Sequence, residues 1–214
     1  MKITKIETYD EDYQYGTNPC SEIILRPYQF CNLTEVVVRS EDTIEDLDRK
    51  VKLATILGTI QSTYTHFPYL RKKWKDNTEE ERLLGVSLTG IMDNPLMTTK
   101  NKGLEKTLEH LRNVAVATNA EWADRLGIPQ STAITCVKPS GTVSQLVDSA
   151  SGIHPRYSEY YIRTVRGDNK DPLTQFMIDQ GIPSEPDVTK PQNTTVFSFP
   201  MKSPRGAKTR TDMT

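Results

Sequence analysis

Cysteine is scarce in this chain of 214 residues. Cys20, Cys31 and Cys136 are the whole set, an odd number with no CxxC pair among them. That excludes a secreted scaffold stapled by disulfides. Histidine is as scarce, and His66, His110 and His154 are scattered, so no ligand set for a structural zinc or other metal site is present. Excess charge of either sign is lacking too: 27 lysines and arginines face 28 aspartates and glutamates. No strong field then draws the chain to nucleic acid or to an anionic membrane. No apolar run approaches the roughly 20 residues that a membrane-spanning helix needs. No charged-then-apolar signal segment opens the chain, which makes a cytoplasmic location the expectation. Internal repeats and low-complexity tracts are also missing. What remains is enough chain for one domain with a real core.

The hydrophobic pattern predicts alternating helices and strands. Residues 1–17 mix charge and tyrosine and are expected to form a strand or approach segment. Ile23-Ile24-Leu25 and the valine-rich Glu35 to Arg39 read as buried strand pieces. Thr43, three residues before Asp46, forms a capping box for a helix whose stripe is Ile44, Leu47, Val51, Ala54 and Ile60, running to about Tyr64. The acidic run Asn77-Thr78-Glu79-Glu80-Glu81 predicts a second helix start, because carboxylates suit the positive end of the helix dipole. Gly85 to Leu88 is β-like, and Asp93-Asn94-Pro95 is a breaker. Leu104, Leu108, Leu111, Ala115, Thr118, Trp122 and Leu126 mark the clearest amphipathic helix, ended by Gly127-Ile128-Pro129. Ala133 to Val137 is a buried-strand pattern, followed by a short helix from Val143. Tyr160 to Val165 and Thr194 to Phe199 are predicted strands, with a helix over Asp171 to Gln180 between them. This alternation favours an α/β fold with parallel strands.

Chemistry concentrates near the N-terminus, in Asn18-Pro19-Cys20-Ser21-Glu22. In extended chain, residues i, i+2 and i+4 point the same way. One small face would then carry an amide, a thiol and a carboxylate. That set suits radical or nucleophilic chemistry on a hydroxylated substrate. Cys31 follows Cys20 by eleven positions, in Phe30-Cys31-Asn32-Leu33. A second candidate is Lys138-Pro139-Ser140-Gly141-Thr142-Val143-Ser144, lying between a strand pattern and a helix pattern. Backbone N–H groups at a helix start bind anions, and glycine permits close approach. It is not a Walker A loop, because the Gly-Lys-Ser/Thr ending is absent.

Asn18-Pro19-Cys20-Ser21-Glu22-Ile23 with Gln29-Phe30-Cys31-Asn32-Leu33 resembles the active-site finger loop of a ribonucleotide reductase catalytic subunit. Lys138 to Ser144 resembles that family's substrate-phosphate loop. Arg82 to Gly90 and Ile153-His154-Pro155-Arg156-Tyr157 are similar to it as well, in the family's order. The short cysteine gap is more like the adenosylcobalamin-dependent class than the di-iron class, and Glu35-Val36-Val37-Val38-Arg39 is most like its monomeric, triphosphate-reducing branch. The resemblance implies the C-terminal half of a ten-stranded α/β barrel around a central finger loop, one partial catalytic domain over 1–214. The finger loop would span about 16–33 and the phosphate loop about 138–144.

It implies Cys20 as thiyl radical, Glu22 as general base for the ribose 3′ hydroxyl, and Asn18 as a hydrogen-bonding aid. Cys31 becomes one member of the reducing pair, its partner lying far upstream in the family. Pro139, Ser140, Gly141, Thr142 and Val143 would hold substrate phosphate. Adenosylcobalamin is the implied cofactor, with no metal bound by protein side chains. The implied partners are a ribonucleotide, the missing N-terminal half of the barrel, and a thioredoxin-like or other dithiol. Both ends resemble mid-protein sequence, so a fragment that is inactive alone is expected. Half a barrel exposes strand edges, so self-association or a need for the missing half is expected too.

Plainer readings stand beside these. A lone cysteine is most often a small buried hydrophobe, and Cys136 is assigned to the core. A loop glutamate is usually solvated. Asn18 before Pro19 is also ordinary turn chemistry, and strand-Pro-Ser-Gly-Thr-helix is an ordinary cap. Tyr160 and Tyr161 read as a core strand with one tyrosine exposed. Lys202, Arg205, Lys208 and Arg210 read as a solvated or disordered end, since no aromatic interleaving accompanies them. A non-catalytic nucleotide-binding or assembly module, a diphosphate-reducing enzyme and a di-iron reductase remain the alternatives.

Overall fold

The computed structural model describes residues 14–98 and 102–213; residues 1–13 of the expected opening segment lie outside them. A short antiparallel pair opens the described chain, β1 (Gly16–Thr17) with β2 (Ile24–Leu25). Then come β3 (Asn32–Val37), α1 (Ile44–Gln61), α2 (Lys72–Glu81) and β4 (Leu84–Thr89). A 3-10 turn (Ile91–Asp93) leads to α3 (Pro95–Thr98) and the long α4 (Lys102–Leu126). The last part holds α5 (Val143–Leu146), β5 (Tyr160–Asp168), α6 (Pro172–Asp179), β6 (Ser184–Pro186) and β7 (Thr194–Lys202).

β3 and β4 pair in parallel, from Asn32↔Leu84 to Val37↔Thr89. Parallel strands need a crossover, and α1 with α2 supplies it. α1 starts as its sequence predicts: the Thr43 side chain accepts from the Asp46 amide and the Asp46 side chain accepts from the Thr43 amide. Leu47, Val51 and Ala54 then face inward, and with Val36, Val38, Val86, Leu111 and Ala115 they form one apolar core. Burying a leucine such as Leu47 contributes roughly 1.5–3 kcal/mol. α4 buries Leu111, Ala115 and Thr118 of its predicted stripe and closes the same core, while Leu108 and Leu126 of that stripe are exposed.

Four expectations are corrected. α2 ends at Glu81, where the acidic run was expected to begin a helix. Carboxylates at the negative end of a helix dipole are unfavourable, and here Arg26 offsets them by pairing with Glu80 at 3.0 Å and Glu81 at 3.2 Å. Ala133 to Val137 runs beside β4 but bridges it only at Thr135↔Val86, with Val86 N donating to Ile134 O and Cys136 N to Val86 O. The second sheet is antiparallel, in the order β5-β7-β6. A tight return after β6 fixes that direction: the Asp187 carboxylate accepts from the amides of Thr189 and Lys190. β5 is half exposed, with Tyr160 at the surface, so it is not a core strand. The basic end is ordered and folds back, while Lys202, Arg205, Lys208 and Arg210 stay exposed as expected. Lys208 N donates to Met92 O, Arg210 N donates to Arg156 O, and Ser203 and Thr209 are buried.

The α/β class holds. The described residues form separate sheets of two, two and three strands rather than a closed barrel. No helix among them is long and apolar enough to cross a membrane.

Candidate active site

Pro19 decides the shape of the finger loop. Its fixed φ favours a turn at Asn18-Pro19-Cys20-Ser21. Ser21 N donates to Asn18 O at 2.9 Å, and Ser21 takes a left-handed φ of 61°. Asn18 closes the loop base, its N donating to Ile23 O at 3.3 Å and its Oδ1 accepting from Ile23 N at 3.1 Å. The expected extended alternation is therefore replaced by a hairpin tip. Cys20 stands exposed on that tip.

Glu22 turns inward. Its side chain is 3% exposed, and Lys138 Nζ lies 2.9 Å from its Oε1. Burial alone would push this carboxyl up. The hydrogen bonds from Lys138 and Asn18 outweigh burial and hold it below the usual glutamate value. Its other oxygen, Oε2, is buried and has no hydrogen-bond partner among the described residues.

Alternation along β3 and β4 builds the floor beneath the loop. Thr34, Val36, Leu84 and Val86 face α1 and the core, as the packing of Gly58 against Thr34 and Leu84 shows. Cys31, Leu33 and Glu35 face the other way, with Gly85 and Ser87. Cys136 belongs to this second face: a Cβ on Gly85 would meet Leu33, the Cys136 sulfur at 3.2 Å and Ile23. The thiol is half-buried on the polar face and not part of the helix-packed core. Burial pushes the Cys31 thiol up to about 12, with added repulsion from Cys136 and Glu22. Cys136 is pushed up to about 11 by burial and by Glu22. Both are protonated thiols at neutral pH.

The 138–144 segment begins at the same place. Ser140 takes a positive φ of 51°, and its Oγ is buried without a partner among the described residues. Gly141 borders open space on its missing Cβ side. Thr142 precedes α5, and Ser144 Oγ donates back to Ser140 O and Gly141 O. Gly152 is required here, since a Cβ would stand 1.9 Å from Lys138 O. Beyond the loop, buried Arg156 forks onto Asp93 (3.0 and 3.1 Å) and onto Asp148 (2.9 Å). These two carboxylates hold the guanidinium charged and fix the turns after β4 and α5.

The structure thus brings Glu22, Cys31 and Cys136 to Lys138, ties Asn18 to Glu22, leaves Cys20 on the adjoining tip, and places Pro139 to Val143 directly after Lys138. Two long-range contacts of this region are not encoded by local sequence. Lys138 was visible only as a motif letter, because its partner lies 116 positions away. Arg156 stands in the sequence only within the Ile153 to Tyr157 motif, and its partners are 63 and 8 positions away.

A thiol-bearing hairpin over parallel strands, beside a loop that opens onto a helix, agrees with what the motif resemblance implies. No family model matches the chain. Individual proteins do. It is 31% identical over 88% of its length to an adenosylcobalamin-dependent ribonucleoside-triphosphate reductase of Levilactobacillus brevis. A Lactobacillus gasseri protein of the same name is 32% identical over 88% of the chain, and a Euglena gracilis one 29% over 96%. A crystal structure of a B12-dependent (class II) ribonucleotide reductase superposes with a TM-score of 0.75 at 27% identity, over 91% of this chain and 30% of that one. The chain is a homologue of the class II ribonucleotide reductases. It spans about 28% of the length of the curated relatives it matches.

Proposed function

We propose that this chain is the part of an adenosylcobalamin-dependent ribonucleotide reductase that bears the radical thiol, the base and one reducing thiol. It reduces ribonucleotides, triphosphates by preference, at the 2′ carbon. The carrying observation is the placement of Cys20, Glu22 and Asn18 on one hairpin above Cys31, with the 139–143 loop alongside. Activity needs the remaining strands of a ten-stranded barrel, supplied on the same polypeptide or another. The setting is the cytoplasm, where thiols stay reduced.

The chain's residues divide the work. Cys20 as a thiyl takes hydrogen from the ribose 3′ carbon and later returns it. Glu22 accepts the 3′ hydroxyl proton and returns it to the 3′ oxygen at the end of the cycle, help that is worth about 10²–10⁴ in rate. The 2′ C–O bond breaks and the hydroxyl leaves as water. Cys31 and a thiol from the rest of the barrel give two electrons and two protons and become a disulfide. A thioredoxin-like or other external dithiol then reduces that disulfide. Ser140 to Val143 hold substrate phosphate. Adenosylcobalamin, when bound, supplies the radical, and Cys20 is the residue of this chain that would meet it; its exposure at the tip fits such an approach.

The test combines the chain with the rest of the barrel, adenosylcobalamin, a dithiol and a ribonucleoside triphosphate, and measures deoxyribonucleotide by chromatography. Product is expected only with every component present, and more from triphosphate than from diphosphate. Product without cobalamin would favour a di-iron enzyme. Nucleotide binding without product would favour a non-catalytic module.

A further inference from the structure

Lys138 sits at the junction of the two loops that the reductase reading assigns to chemistry and to phosphate. Its ammonium reaches Glu22 Oε1 at 2.9 Å from 116 positions away. The carboxylate it meets is 3% exposed and the lysine side chain 25% exposed. Burial of this carboxylate favours its protonated form, and the Lys138 hydrogen bond acts in the opposite direction. The other titratable groups facing this point are Cys20 on the same tip, Cys31 at the start of β3, Cys136 beside β4, and Glu35 farther along β3. Lys138 is the cation among them, and it favours the charged form where Glu22 and the thiols repel one another.

The lysine is also held in place from behind. Ser151 Oγ and Gly152 N both donate to Pro139 O. Gly152 packs so closely on Lys138 O that no side chain fits there. The backbone at 138 cannot drift away from this contact without moving the 151–152 turn. An ammonium on a fixed backbone is a lever that sets where Glu22 rests.

We propose that Lys138 is a positioning residue for the base. It keeps the Glu22 carboxylate ionised, occupies Oε1, leaves Oε2 free to take a proton, and ties the finger loop to the start of the phosphate loop. This rests on the reductase reading given above. The role differs from that of a phosphate ligand, because the ammonium is already committed to Glu22.

Two readouts test it, using Lys138→Met and Lys138→Arg in the chain assembled with the rest of the barrel. The first is the pH profile of turnover. Glu22 works as a carboxylate, so activity falls on the acid side as it protonates. Lys138→Met is expected to move that acid limb to higher pH and to lower kcat about 10- to 100-fold, the scale on which misplacing a reacting group registers. KM should change little, and Lys138→Arg should restore most of the rate. The second readout needs no turnover. The ¹³C carboxyl resonance of Glu22, assigned by its loss in Glu22→Gln, is titrated in wild type and in Lys138→Met. Its midpoint is expected to rise in the variant.

An unmoved Glu22 titration would overturn the proposal. So would a Lys138→Met enzyme that loses inorganic triphosphate binding while keeping its acid limb, which would make Lys138 a phosphate ligand. If wild type shows no reductase activity, the reductase reading fails by that result alone, and the titration still decides whether Lys138 controls Glu22.

Discussion

Val36 and Cys31 belong to the same stretch of chain, five residues apart, and face opposite sides of the β3–β4 layer. Val36 is buried against α1 and α4 with Leu47, Val51 and Val86. Cys31 faces Gly85, Cys136 and the finger loop. The first face is filled and mostly apolar, with one unpartnered buried oxygen, Thr34 Oγ1, and it supplies stability. The second is polar, with unpartnered buried oxygens on Glu22, Glu35 and Ser140. Unsatisfied buried oxygens are costly, and their number beside Cys31 and Lys138 suits a surface that meets a ligand. One pair of strands therefore separates the residues that hold the fold from those proposed to act.

Substitutions on the two faces should come apart in the same way. Cys20→Ala has the largest expected effect on function, loss of reductase activity to background. Because Cys20 is exposed, its stability in urea should stay within about 0.5 kcal/mol of wild type. A matching loss of stability would erase the distinction between faces.

Cys31 gives the next effect, and it carries a sign in pH. Its thiol rises from an ordinary 9.0 to about 12 through burial. At pH 8 its thiolate fraction, and with it the alkylation rate by iodoacetamide, should lie about 10³-fold below that of an ordinary thiol. The neutral thiol is the form the fold prefers. Its contribution to stability is thus complete below pH 9 and is lost as pH rises from 9 toward 12. Mass spectrometry of timed alkylation in the native chain checks the rate.

On the filled face, Leu47→Ala should cost about 2–5 kcal/mol in denaturant unfolding, through lost burial and the cavity left behind. Thr43→Ala, which removes the α1 cap at the edge of that face, should cost about 1 kcal/mol and leave activity unchanged. Thermal unfolding followed by circular dichroism separates the two.

The filled face was largely legible in sequence. The period of α4, the Thr43–Asp46 box and the Asp171–Pro172 start of α6 are local signals, and the structure follows them. The acting face was legible in its residue types but not in its geometry. Alternation of Asn18, Cys20 and Glu22 yielded to the turn that Pro19 imposes. The acidic run at α2 misled because its compensating cation, Arg26, comes from the finger-loop segment. The Lys138–Glu22 pair and the antiparallel order of β5, β7 and β6 depend on contacts far apart in sequence, which local patterns do not encode.

A single turnover tests the central claim most directly. The prereduced assembled enzyme is given adenosylcobalamin and ribonucleoside triphosphate without external dithiol, then denatured and alkylated. The account predicts at most one deoxyribonucleotide per chain, with Cys31 newly blocked in a disulfide and Cys20 still open to alkylation. Product formed while Cys31 remains a free thiol would contradict it.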